Sequence, residues 1–241
     1  MKGTPSDVRF LLVLLTASLC ANVFLVRRLS SGAASARPPA HVPTADEFRG
    51  WLAKQPRQPM PLPRDGSRVT VVKFNDYQCP PCRMTHEQYR PVIGRLQAAH
   101  PGAITFVLKD FPLASECNST VTGTLHPAAC AAAVAVRLAA RMGKRDELSD
   151  WLFANQASLT VDSVRSATRM VTGREYGRSD YEAALAEVKE DVALGAKLGV
   201  NGTPTFFVNG MLVEPATPQL FEVALEYELS RTPREARAAI E

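Results

Sequence analysis

Two cysteines stand three apart, Cys79 and Cys82, inside VTVVKFNDYQCPPCRMTHEQY. A pair at this spacing can be a redox dithiol, half of a metal site or a structural clip. Two more, Cys117 and Cys130, bracket NSTVTGTLHPAA, which contains His126. The four thiols and the imidazole are enough ligands for tetrahedral zinc. The second pair, however, lacks the short spacing of a zinc knuckle, and zinc would have to draw it to the first. The fifth cysteine, Cys20, lies in an apolar run and reads as an inert membrane residue.

The flanking patterns decide what can position these groups. VTVVKF is β-rich and suits a buried strand. A helix is expected over about 81–98, with Cys82, His86, Tyr89, Ile93 and Leu96 near one stripe and Pro91 as a kink. Cys79 then sits just before a helix, where open N–H groups and the dipole favour a thiolate. Cys82 lies one turn in and is expected to be more buried. Neither Pro80 nor Pro81 has an N–H to donate to a Cys79 thiolate. A second strand is expected over 103–111. The pattern is helical over about 126–198, with Gly143 as a stop. TPTFFVNG gives a strand and a turn at Asn209-Gly210, MLVE is its antiparallel partner, and a last helix covers about 217–229. Strand, helix and strand imply a parallel pair, and the hairpin adds two antiparallel strands to the same sheet.

The chain has 241 residues, 46% of them hydrophobic, enough for one domain with a sizeable core. Its 28 basic and 24 acidic residues give a net charge of +4. They are spread without runs or aromatic interleaving, so nucleic acid is not an expected partner. Lys2 and Arg9 precede an apolar stretch, 10–26, which Arg27 and Arg28 end. Seventeen residues of helix reach about 25 Å, just short of a bilayer core. Residues 1–28 are therefore expected to be a membrane anchor or a signal segment. Residues 29–65 hold seven prolines and read as a linker with little ability to pack. One short helix is expected inside it at TADEFRGWLAK, with Thr44 and Glu47 as a capping box. The folded domain is expected over 66–232, followed by a tail, 233–241.

Cys-x-x-Cys after a strand and opening a helix resembles the thioredoxin-like redox motif. TPTFFVNG, about 120 residues on, is similar to that family's cis-proline loop. DYQCPPC, KDFPL, HPAAC, LFANQ and LGVNGTPTFFVNG, in this order, resemble the DsbA-like branch in its membrane-anchored and periplasmic bacterial form. They also resemble domains associated with vitamin K epoxide reductase-like proteins. The resemblance covers about residues 66–230. It implies an α/β thioredoxin-like fold with a helical insertion between the second and third core strands.

It also implies an extracytoplasmic thiol-disulfide oxidoreductase, most simply an oxidase of exported cysteine-containing proteins. A membrane quinone-linked partner would re-oxidise it, with no cofactor and no metal of its own. A reductase or isomerase of the same fold, or a non-catalytic binding or chaperone module, are the other readings. Cys79 would attack and Cys82 resolve. Thr203 and Pro204 would face the dithiol and pair with an extended substrate, the bland alternative being an ordinary proline at a strand start. Cys117 and Cys130 are expected to form a structural disulfide, against a second shuttle pair or two thiols. Closing their loop could stabilise by about 3 kcal/mol. Lys73 departs from the family, which places an acid there beneath the dithiol. It would favour the thiolates if it points inward, or snorkel outward. Asp76 is a candidate for the missing acid's role, and His86 for tuning the pair or as an ordinary helix residue.

Overall fold

Residues 69–75 read VTVVKFN, β-branched or aromatic at most positions, and form the central strand β1 (Val69–Asn75). The computed structural model describes residues 42–60, 65–214 and 217–231. After β1, the helix α2 (Pro80–Ala99) begins with two prolines in its first turn, where a missing N–H is no loss, and continues through Pro91. β2 (Ile104–Asp110) returns parallel to β1, with Val69 opposite Ile104 and Asn75 opposite Asp110. β3 (Thr205–Val208) lies antiparallel on the other side of β1, and β4 (Met211–Val213) pairs with β3. The sheet order is β2-β1-β3-β4. The β3–β4 turn has Asn209 at φ 47° and Gly210 at φ 77°, both left-handed, as a two-residue hairpin requires. A Cβ at 210 would also collide with the carbonyl of Gln58.

Strand alternation sorts β1 into two cores. Val69 and Val71 face α2, meeting Tyr89, Ile93, Phe206 and Phe221. Val72 and Phe74 face the other way, onto Phe111, Val192 and Phe207. Lys73 follows Val71 on the α2 side. Between β2 and β3 stands a helical insertion: α3 (Ala129–Ala140), α4 (Arg145–Ala154), a 3₁₀ turn (Gln156–Ser158), α5 (Val161–Thr172) and α6 (Arg178–Lys197). α3 is its hub. Of its 12 residues, 9 are buried, mostly alanine, so α4, α5 and α6 can pack against it on different sides. α7 (Pro218–Ser230) closes the described chain. The fold is α/β and thioredoxin-like, with the insertion where it was expected.

The expected linker needs correction. Its second half packs: α1 (Ala45–Leu52) carries the Thr44–Glu47 capping box and buries Phe48 and Leu52 in the core beside α7. Phe48, Leu52 and Met60 supply apolar surface that outweighs the proline-rich composition around them. Arg57 pairs with the buried Glu228 of α7 at 2.5 Å and donates to the carbonyl of Asn209 at 3.2 Å. One compact unit therefore begins at Pro43. The expected anchor over 10–26 and the tail over 233–241 lie outside the described residues. Among the described residues, no helix is long and apolar enough to cross a membrane.

The insertion is tied to the sheet by buried charge. Arg137 of α3 holds Asp110, at the end of β2, at 2.6 Å and also contacts Asp191 of α6. Lys109 adds a 2.7 Å contact to Asp191, which also accepts from the Asp110 backbone N–H at 3.0 Å. Burial pushes the Asp110 carboxyl up, and Arg137 opposes this. Removing the guanidinium would leave two buried carboxylates facing each other. Arg137→Met is therefore expected to lower stability by about 3–5 kcal/mol, read as a fall in the urea midpoint; an unchanged midpoint would refute the assignment.

Candidate redox site

Cys79 is the residue before α2, extended at φ −82° and ψ 118°, and its side chain makes no capping hydrogen bond to that helix end. Cys82 lies within the first turn. Both are buried thiols, 4% and 0% exposed. The Cys79 Sγ–H donates to the Thr203 carbonyl at 3.1 Å. The Thr203–Pro204 bond is cis, and the Cys79 contact sets this loop against the start of α2. The structure thus brings Cys79, Cys82, Thr203 and Pro204 together.

The environment drives the two thiols apart. Cys79 is brought down to about 6, first by a hydrogen bond from the Cys82 thiol. The Thr203 side chain and the Cys82 N–H also favour the thiolate, against burial and the Asp76 charge. The buried Thr203 hydroxyl has no hydrogen-bond partner among the described residues. Cys82 is pushed well above the usual thiol range by burial, and its hydrogen bond to Cys79 adds to this.

Lys73 lies beneath the pair. It is 3% exposed, so it does not snorkel outward. Its Nζ donates to the Cys82 carbonyl at 3.1 Å, and the rings of Phe153 and Phe206 lie 5.8 and 5.9 Å away. Burial lowers its pKa to about 8, and the two cysteine sulfurs partly offset this. Lys73, Asn75 and Tyr77 face a cavity of about 370 Å³ between β1, α2 and α4. Both side-chain polar atoms of Asn75 are buried there without a partner among the described residues, a place suited to ordered water.

Asp76 holds segments together. Its Oδ1 accepts from the Gln78 N–H at 2.7 Å, and its Oδ2 from the Leu113 N–H at 2.8 Å. The His126 Nδ1 lies 2.7 Å from Oδ2. The Asp76 N–H donates to the Cys82 Sγ at 3.5 Å. His86 points elsewhere: its Nε2 meets Asp150 at 2.7 Å and its ring packs on Phe153. That favours an ordinary helix residue over a tuning one.

Cys117 and Cys130 are bonded to each other as a disulfide, buried in the core formed by α3 and α6. Their sulfurs are therefore not available as zinc ligands with the first pair. The Asn118 side-chain amide donates to the Pro112 carbonyl at 2.8 Å and is fully buried.

Sequence reasoning missed three contributors. Gln156, on the 3₁₀ turn, donates to the carbonyls of Tyr77 and Cys79, both at 2.9 Å. Gln78 accepts from the Ala128 N–H at 2.8 Å and donates to the Leu159 carbonyl at 3.3 Å. His126, weighed only as a zinc ligand, is the partner of Asp76. Gln156 and His126 lie in LFANQ and HPAAC, stretches that carried the resemblance, but nothing local assigns them these contacts.

A family model described as Thioredoxin matches residues 64–227. The chain is 32% identical over 145 residues to the Na(+)/H(+) antiporter NhaA 3 of Salinispora tropica, an alignment that covers 59% of this chain and 20% of that protein. It thus spans about a fifth of the length of the first curated relatives it matches. It is 25% identical over 167 residues to Disulfide bond formation protein D of Bacillus subtilis, covering 64% of this chain and 68% of that protein. In fold it is similar to oxidised BdbD from Bacillus subtilis, with TM-score 0.53 at 18% identity, over 74% of this chain and 95% of that one. With the family model spanning most of its length, the chain belongs to the thioredoxin family.

Proposed function

We propose that this chain is a thiol-disulfide oxidoreductase that oxidises cysteine pairs of exported proteins through Cys79 and Cys82. The observation that carries the reading is the asymmetry of the dithiol: a thiolate-favouring Cys79 at a helix start, open to the Thr203 loop, before a buried Cys82. The likeness to a protein named for disulfide bond formation supports it. So does the Cys117–Cys130 bond, since structural disulfides persist in oxidising compartments.

In the oxidase direction, a substrate thiolate attacks the Cys79 sulfur of the Cys79–Cys82 disulfide. The intramolecular S–S bond breaks, and Cys82 leaves as a thiolate and takes up a proton. A second substrate thiolate then attacks the mixed disulfide at the substrate sulfur and expels Cys79 as a thiolate. The substrate loses two electrons and the dithiol gains them. A low Cys79 pKa makes it a good leaving group and stabilises the reduced protein, which favours the oxidase direction. The Thr203 and Pro204 loop offers backbone to an extended substrate. Residues 10–26 would hold the domain on the outer side of a membrane, beside a quinone-linked partner that re-oxidises it.

Cys79→Ser is expected to abolish exchange with a model disulfide while the fold is retained, and Cys82→Ala to accumulate the mixed disulfide. Exchange undiminished by Cys79→Ser would mean that another thiol carries it, and a wild-type chain that exchanges with no disulfide would point to a binding or chaperone module. Equilibration with glutathione should place the dithiol above thioredoxin's potential of about −270 mV; a value at or below it would make the protein a reductase.

Lys73 and the prolines set how oxidising the centre is. Lys73→Met removes the cation beneath the sulfurs, so the Cys79 alkylation midpoint should rise from about 6 and the potential should fall. The pH dependence has a definite sign. Lys73 has a folded value of about 8, below its ordinary 10.5, so the stability it affects is complete above 10.5 and is lost as pH falls through 8. The reduced protein's denaturation midpoint should therefore climb from about pH 8 to 10.5, and Lys73→Met should flatten that climb. Pro81→His adds an N–H and an imidazole between the cysteines and is expected to raise the potential. An unchanged or lower value would refute this account of the two prolines.

A further inference from the structure

The Cys-Pro-Pro-Cys segment places no cation between its cysteines, and a buried carboxylate stands three residues before the reactive one. Asp76 works against a Cys79 thiolate. His126 meets that carboxylate, Nδ1 to Oδ2 at 2.7 Å, with its side chain 13% exposed. Among the described residues, the titratable groups that act on His126 are Asp76 from the end of β1 and Cys79 from the start of α2. The Asp76 N–H contacts the Cys82 sulfur, Lys73 donates to the Cys82 carbonyl, and the first turn of α3 carries no acid. The hydrogen bond to Asp76 raises the His126 pKa; burial opposes this, and the Asp76 and Cys79 charges add to it.

We propose that His126 is a positioning residue for the dithiol: as an imidazolium on Asp76, it cancels the carboxylate's charge at Cys79. It thereby supplies, from the turn before α3, the cation that the two prolines exclude from between the cysteines. This rests on the dithiol reading above. While His126 is protonated, Asp76 and His126 form a neutral pair, and the Cys79 thiolate feels little of the carboxylate. When pH rises and the His126 proton leaves, the Asp76 charge is uncovered and the thiolate is disfavoured. The coupling is reciprocal: if His126 favours the thiolate, the thiolate holds the proton on His126.

The test uses the full reduced chain with the Cys117–Cys130 bond intact. Iodoacetamide labelling from pH 4 to 9 is read by mass spectrometry on the Cys79 peptide, so Cys20 does not contribute. His126→Asn keeps a neutral donor near the Nδ1 position and removes only the charge. The Cys79 midpoint should rise by about one unit, with labelling at pH 5 slowed about tenfold. Asp76→Asn combined with His126→Asn removes both charges and should restore most of that rate. A His126→Asn profile that overlays the wild type overturns the proposal. So does a double variant as slow as the single one, because that pattern means packing rather than charge.

A second measurement needs no variant. The His126 ring proton, followed by NMR, should titrate at higher pH in the reduced protein than in the oxidised one, whose disulfide carries no charge. Equal midpoints overturn the proposal. If wild-type Cys79 instead labels no faster than an ordinary thiol and exchanges with no disulfide, it is the dithiol reading that fails.

Discussion

One carboxylate sits where four segments of chain meet. Asp76 takes its hydrogen bonds from the loop before α2, through Gln78, from the turn after β2, through Leu113, and from the turn before α3, through His126. Its own N–H, just past the end of β1, faces the Cys82 sulfur in the first turn of α2. A buried charge with an unmet oxygen costs several kcal/mol, so these donors are held together or lost together. The same group that fixes the start of α2 against the insertion also places negative charge near Cys79. Geometry and reactivity at the dithiol are therefore not separable: whatever holds Asp76 in place also sets the field at the sulfur.

That field acts on two thiols in opposite senses. Cys79 has an open helix end, the Thr203 loop and a thiol donor around it, and its thiolate is favoured. Cys82, one turn on, has burial above all, and its charged form is disfavoured. Exchange chemistry needs this division, because one sulfur must ionise and leave easily while the other stays protonated until a mixed disulfide forms. Lys73 stands beneath both with no carboxylate bonded to its ammonium among the described residues, and its contact with the Cys82 carbonyl links the strand floor to the first turn of α2. An acid in its place would repel the thiolates it now attracts.

Local signals carried most of the fold. The β-branched run of β1, the prolines opening α2, the Asn209-Gly210 turn and the Thr44–Glu47 box each act within a few residues, and each was legible. Lys73 was legible in identity and ambiguous in direction; alternation with Val69 and Val71 turned it inward. What the sequence hid was long-range. Asp76 and His126 are 50 residues apart, and Gln156 and Cys79 are 77 apart. No periodicity encodes such contacts. Residues 45–60 were hidden differently: a proline-rich composition masked Phe48, Leu52 and Arg57, whose partners lie on α7 and the hairpin at the other end of the domain.

The insertion is better understood as part of the redox site than as an addition to a complete fold. α3 and α6 clamp the end of β2 through Arg137, Asp110 and Asp191, which fixes where the turn before α3 emerges. That turn delivers His126. α4 delivers Phe153, packed between Tyr77, His86 and the Lys73 ammonium. The 3₁₀ turn delivers Gln156 to the Cys79 carbonyl. A four-stranded sheet and α2 alone would leave Asp76 short of a donor, Lys73 open to water and the Cys79 loop unpinned. Each loss would change the balance of charge at the dithiol, so the helices between β2 and β3 determine the chemistry of two cysteines that lie wholly outside them.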